Sequence, residues 1–154
     1  MIFPVGHRIR PFDIGALATY GIPELEVSTI RAGLIPTGGE LVPICARPEP
    51  GQVVESNTAM AAAYLETFGI TCARMPIVPD DYGQITKAIE DVLDSCDLVL
   101  VSARSAAGTR DYTADAIRSL GEVLTHCVAM RPGKPVIIGR VRGKPVIGLP
   151  GYPL

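Results

Sequence analysis

From about Arg31 onward the chain alternates short apolar runs rich in Val, Ile and Leu with longer segments whose apolar residues recur at helical spacing. Parallel strands are buried on both faces, and each must be followed by a crossover that covers one of them, so this alternation predicts an α/β fold with a mostly parallel sheet. Ala32 to Pro36 reads as the first strand. Prolines at 36, 43, 48 and 50 mark a turn-rich stretch, after which Ser56 or Asn57 is placed to cap a helix running through Thr58 and Leu65 to a stop at Gly69. The small residues of that helix suit close packing on a sheet. Ile70 to Val78 is the second strand, closed by Pro79-Asp80-Asp81, and Tyr82 to Ser95 carries apolar residues at 85, 88, 89, 92 and 93, the stripe of an amphipathic helix. Asp97 to Val101 is a buried central strand. The loop Ser102 to Asp111, a third helix from Tyr112 to Leu120, and strands within Val123–Met130, Val136–Val141 and Pro145–Leu149 complete the pattern.

Residues 1–30 differ in character, with Arg10 to Gly21 reading as a short helix that has Pro near its start and Gly at its end. The expected organisation is a lead-in over 1–30 and a domain over 31–154. The sequence stops at Pro153-Leu154, after a strand and a tight turn with no helix to cover that side of the sheet, which suggests an excised domain or a truncated protein.

Composition narrows the function classes. With 154 residues, 47% of them apolar, the chain can build one core of domain size. The 14 Lys and Arg against 16 Asp and Glu give a net charge of -2 without a block of like charge, so nucleic acid is not an expected partner. No apolar run approaches the ~18 residues of a membrane span, and the start MIFPVGHRIR lacks the plan of a secretory signal; a soluble, cytoplasmic protein is expected. Cys45, Cys72, Cys96 and Cys127 are too far apart for a CxxC metal motif and are expected as buried thiols. His7 and His126 read as isolated.

In open parallel sheets, ligands bind beyond the carboxyl ends of the strands, where loops and helix N-termini converge. Thr37-Gly38-Gly39-Glu40 follows the first strand, Asp80-Asp81 the second, and Ser102 to Asp111 the central one, with Arg131 to Pro135 and Leu149 to Pro153 after later strands. Glu40, Asp80 or Asp81, and Asp111 therefore come from separate loops toward one edge, as a hard cation such as magnesium requires when it keeps waters and a substrate phosphate. Asp81 and Asp111 also precede helices, where N-capping accounts for a carboxylate equally well. The small loop Ser102 to Thr109, with Arg104 and Arg110, could present N–H groups to an anion, and Lys134 lies in a stiff Pro-Gly-Lys-Pro turn.

The series Pro36-Thr37-Gly38-Gly39-Glu40-Leu41-Val42, Gly51-Gln52 with Ser56-Asn57, Asp80-Asp81, Gly108 with Asp111-Tyr112-Thr113, Met130 to Pro135 and Gly148 to Pro153 resembles the molybdopterin-binding domain of the MoeA and gephyrin type. The resemblance covers about residues 31 to 153, and residues 6 to 27 look like the segment that precedes this domain in the same family. It implies a three-layer α/β/α sandwich and a molybdotransferase that inserts molybdenum into adenylylated molybdopterin, with molybdate as substrate, a divalent cation such as Mg2+, and release of AMP. It implies Glu40, Asp80 and Asp111 as catalytic groups, with Asp81 beside them as a further metal ligand. Thr37, Gly38, Ser102, Arg104, Ser105, Gly108, Pro132, Gly133, Lys134, Pro135, Pro150 and Gly151 are implied as the pterin-binding set, in a pocket completed across a homodimer.

Three departures bear on that expectation. Where the family usually reads Ser-Gly-Gly-x-Ser-x-Gly, this chain has Ser102-Ala103-Arg104-Ser105-Ala106-Ala107-Gly108, which adds Cβ atoms where a phosphate or pterin would approach. Gly39 replaces the usual Asp and Tyr152 the usual Asn. Two alternatives therefore stand beside the transferase: a non-catalytic pterin-binding or protein-binding relative, and an adenylyltransferase of the MoaB/Mog type.

Overall fold

The computed structural model describes residues 2–103, 111–129 and 135–151. A helix, α1 (Pro11–Thr19), leads into β1 (Arg31–Thr37), followed by two short strands β2 (Leu41–Val42) and β3 (Val53–Val54), then α2 (Asn57–Glu66), β4 (Thr71–Arg74), α3 (Tyr82–Leu93) and β5 (Leu98–Ala103). The remainder is α4 (Tyr112–Leu120), β6 (Glu122–His126), β7 (Ile137–Val141) and β8 (Lys144–Pro150). The main sheet has the order β4-β1-β5-β8-β7-β6, while β2 and β3 form a separate parallel pair. Pairings β4–β1, β1–β5 and β5–β8 are parallel, and β8–β7 and β7–β6 antiparallel, so the sheet is mostly parallel as expected.

Alternation along the strands sends neighbouring side chains to opposite faces. Ile35, Val99, Val101, Val141 and Val146 pack with Ile85, Ile89, Val92 and Leu93 of α3 and with Ala114, Ala116 and Ile117 of α4. Leu34 and Leu100, one step out of phase, meet Ala62 of α2 on the other face. The result is helices on both sides of the sheet. Asp81 caps α3 by accepting from the Gln84 N–H at 2.9 Å, worth about 1 kcal/mol. Burial of each large aliphatic of its stripe contributes about 1.5–3 kcal/mol, so packing, more than capping, holds α3 in place.

Two glycines set how closely the helices approach. A Cβ on Gly33 of β1 would lie 2.0 Å from Val92 Cγ1, and one on Gly139 of β7 would lie 2.3 Å from Ile117 Cγ2. Neither contact is visible in the sequence pattern.

Several boundaries shift for identifiable reasons. The second strand is only Thr71–Arg74, after which Pro76, with no N–H to donate, interrupts the run; Val78 rejoins β1 by a single bridge to Thr37. The central strand extends to Ala103, since its end still pairs with Pro36-Thr37 and Leu149-Pro150. β6 stops at His126 because Cys127 takes a left-handed backbone, φ 68°. The expectation of buried cysteines holds for Cys96 alone: Cys72 is half-buried, and Cys45 and Cys127 are exposed because they sit in loops outside the core.

Nor are the histidines isolated, because folding brings each to a carboxylate. His126 Nε2 lies 3.3 Å from Asp111 Oδ2, and His7 Nε2 lies 2.9 Å from Asp13 Oδ2. Asp13 also accepts from the Arg10 backbone N–H at 2.8 Å and from its guanidinium. The His7 bond first, then those from Arg10, lower the Asp13 carboxyl from 3.8 to about 2. A depressed carboxylate contributes stability that is complete above the unfolded value and lost as pH falls through the folded one. Protection of the α1 amides relative to their intrinsic exchange rate is therefore expected to fall between about pH 4 and 2, and Asp13→Asn to remove that step; an unchanged step would contradict the assignment. Among the described residues, no helix is long and apolar enough to cross a membrane.

Candidate functional site

The carboxyl ends of β1, β5 and β8 lie side by side, with Pro36 opposite Ser102 and Ser102 opposite Leu149. The amino end of α2 reaches the same edge and encloses a cavity of about 120 Å³. Thr37, Glu40, Ser56, Asn57 and Ser102 give it polar groups, Leu41, Val53 and Val54 of the small β2–β3 pair give it an apolar wall, and Gly151 closes one side.

Hydrogen bonds tie these pieces together. The buried Thr37 hydroxyl donates to the Ser102 carbonyl at 3.3 Å. The Asn57 amide Nδ2 donates to the Gly151 carbonyl at 3.0 Å and to Ser102 Oγ at 3.3 Å, so one side chain bridges the ends of β5 and β8. Gly38 turns the chain at φ 152°, where an added Cβ would stand 3.0 Å from Leu41 Cγ and 3.2 Å from Glu40 Oε2. Glycine at this turn leaves room for Glu40 at the rim.

Glu40 and Asp80 are coupled. Asp80 is exposed, and partial desolvation first, then the negative charge of Glu40, push its carboxyl above its ordinary value, while a hydrogen bond from the Gly39 N–H pulls it back. Two carboxylates that repel each other at the end of a sheet are a donor set suited to a hard cation, which commonly uses one or two protein carboxylates and fills its remaining positions with water and substrate oxygens.

The other acids have local duties. Asp81 caps α3. Asp111 caps α4, its Oδ1 accepting from the Ala114 N–H at 3.1 Å, and its Oδ2 faces His126. Among the described residues, no group of three or more His, Cys, Asp and Glu is gathered as a metal ion would need. The structure thus brings Glu40 and Asp80 together and does not assemble Glu40, Asp80, Asp81 and Asp111 into one coordination shell. Thr37, Ser102 and Gly151 line the cavity, Gly38 adjoins it, and Pro150 ends β8. Pro135 lies in a turn before β7. Arg104, Ser105, Gly108, Pro132, Gly133 and Lys134 lie outside the described residues.

Sequence reading missed a polar network in the cavity wall, to which Glu55 itself contributes. The Glu55 carboxylate, 4% exposed, accepts from the Thr58 N–H at 2.8 Å and the Thr58 hydroxyl at 2.6 Å. Arg74 Nη2 donates to the same carboxylate at 2.9 Å, and Arg74 Nε donates to Thr58 Oγ1 at 3.1 Å. Glu55, rather than Ser56 or Asn57, therefore caps α2, and Ser56 makes no side-chain capping bond. The one available signal was the spacing Glu55-x-x-Thr58, which on its own is common.

A family model described as "Probable molybdopterin binding domain" matches residues 33–154. A protein of Methanocaldococcus jannaschii named for molybdopterin biosynthesis is 32% identical across all of this chain, which spans 41% of that protein. Molybdopterin molybdenumtransferase 2 of Mycobacterium tuberculosis is 33% identical over 97% of this chain and 38% of its own length. The crystal structure of a molybdopterin biosynthesis MoeA protein from Pyrococcus horikoshii superposes with a TM-score of 0.81 at 34% identity, over 99% of this chain and 38% of that one.

Proposed function

Because this chain belongs to the molybdopterin-binding domain family of molybdenum cofactor biosynthesis, we propose that its cavity edge receives adenylylated molybdopterin in a molybdotransferase reaction. In that reaction molybdate enters the pterin and AMP leaves. The observation that carries this reading is the cavity at the carboxyl ends of β1, β5 and β8, lined by Thr37, Glu40, Asn57 and Ser102, with the Asp80 carboxylate held by the Gly39 N–H next to Glu40. Glu40 and Asp80 would hold magnesium, which when bound offsets the negative charge of the substrate phosphates and of molybdate. Thr37 and Asn57 fix the strand ends around the ligand, Ser102 offers a hydroxyl, and Val53 and Val54 keep water from one side.

In this reading residues 31–154 form the domain and 1–30 the lead-in. The pterin-binding set extends to Arg104, Ser105, Gly108, Pro132, Gly133, Lys134 and Pro135, Asp111 lies beside the substrate, and the protein works in the cytoplasm as a homodimer. A second reading, binding of a pterin without transfer, draws on Asp111, both of whose carboxylate oxygens face local partners.

Isothermal titration with molybdopterin and with its adenylylated form, each with and without magnesium, tests the proposal. Binding of the adenylylated form that strengthens at least tenfold with magnesium is expected, about 1.4 kcal/mol. Equal binding of both forms without a magnesium effect would favour the binding module, turnover of ATP added together with molybdopterin and magnesium would favour adenylyl transfer, and no binding would overturn the reading.

A further inference from the structure

We propose that Arg74 is a positioning residue for the cavity: through Glu55 and Thr58 it sets the amino end of α2 so that the Asn57 amide bridges Ser102 and Gly151. This rests on the reading of the cavity as a pterin site. Arg74 is the last residue of β4, at the edge of the sheet, and does not line the cavity. Its guanidinium nevertheless makes two of the four bonds in a closed ring with Glu55 and Thr58. Glu55 and Thr58 flank Ser56 and Asn57 in sequence, so fixing both flanks fixes the two residues between them. Asn57 then has its amide held on two acceptors from different strands, at 3.0 and 3.3 Å.

The chemistry explains why the ring has these members. Glu55 is buried and charged, so it needs a cation and several donors, and Thr58 supplies both its N–H and its hydroxyl. The fork of an arginine can reach the carboxylate and the threonine oxygen together, which a lysine amine does not reproduce. Because Glu55 satisfies the first turn of α2, neither Ser56 nor Asn57 is required for capping, and both side chains are left to the cavity.

The test is a double-mutant cycle between Arg74→Met and Asn57→Ala, read as affinity for adenylylated molybdopterin with magnesium. It is accompanied by the side-chain amide signals of Asn57 in a 15N–1H correlation spectrum. Each single variant is expected to bind about tenfold more weakly, the double variant no more weakly than Asn57→Ala, and the Asn57 amide signals to move in Arg74→Met. Arg74→Lys, which keeps the ion pair to Glu55 but not the second arm to Thr58, is expected to recover only part of the affinity. If Arg74→Met does not fold, Glu55→Gln combined with Arg74→Met removes both charges and takes its place in the cycle. Gly139→Ala, destabilised elsewhere, serves as the control for a general loss of stability.

Wild-type affinity in Arg74→Met, fully additive losses, or an unmoved Asn57 amide would overturn the proposal. If the wild-type protein binds none of the pterin, the reading of the cavity fails, and the amide signals alone then decide whether Arg74 positions Asn57.

Discussion

Gly33→Ala is expected to destabilise the fold by about 1–3 kcal/mol, the range for overpacking a core. The added methyl would sit 2.0 Å from Val92 Cγ1 and 3.3 Å from Cys96 Sγ, in the contact where α3 lies on β1. β1 is paired on both edges, so it cannot retreat from the helix without breaking ladders to β4 or β5. Val92→Ala alone should cost about 1–3 kcal/mol by removing buried surface and leaving a cavity. The two together should be less destabilising than their sum by at least ~1 kcal/mol, since one methyl takes the room the other vacates. Urea unfolding of the four proteins checks this. Strict additivity would mean that α3 relieves the clash by moving as a body.

Asp80→Asn is expected to do two opposite things. The folded state raises the Asp80 carboxyl above its unfolded value, so the ionised group opposes folding at neutral pH and stops doing so as pH falls through the ordinary carboxylate range. The asparagine variant should therefore melt at a higher temperature than the wild type at pH 7, and this gain should vanish below about pH 4. Its magnesium-dependent affinity for adenylylated molybdopterin should fall on the order of a hundredfold, the scale of losing one interaction with a charged group. A residue kept for structure would not give stability and lost binding in one substitution. If Asp80→Asn lowers the melting temperature and leaves magnesium-dependent binding unchanged, Glu40 and Asp80 are not the cation's ligands.

Periodicity carried most of the architecture because burial imposes it directly. Ile85, Ile89, Val92 and Leu93 could face a sheet only as one helix stripe, and Leu98 to Val101 is apolar at every step because both faces are covered. The turn-rich segment was opaque for the converse reason. β2 and β3 are two residues each and, among the described residues, pair with one another outside the main sheet, so no alternation is long enough to read. At the site, Thr37, Glu40 and Ser102 were accessible because a strand's carboxyl end is a defined place, and Asp81 and Asp111 were accessible as caps because they precede helices. The Glu55–Thr58–Arg74 ring was not, since Arg74 comes from a different strand and its role depends on the Glu55 side chain being enclosed. The histidines were misread similarly: His126 meets Asp111 only after β6 folds back beside the start of α4.

The position of β8 has a consequence for how the molecule comes into being. It is the last strand of the described chain, yet it lies between β5 and β7. Until it is made, the sheet exists as two pieces with open edges, each a template for unwanted pairing with another chain. The bond from Asn57 to Gly151 joins residues 94 apart and closes only after that strand is inserted. On a ribosome, the cavity would close only after the rest of this sheet has been made, and a chain interrupted before Lys144 would hold all four described helices without the Gly151 wall of the site.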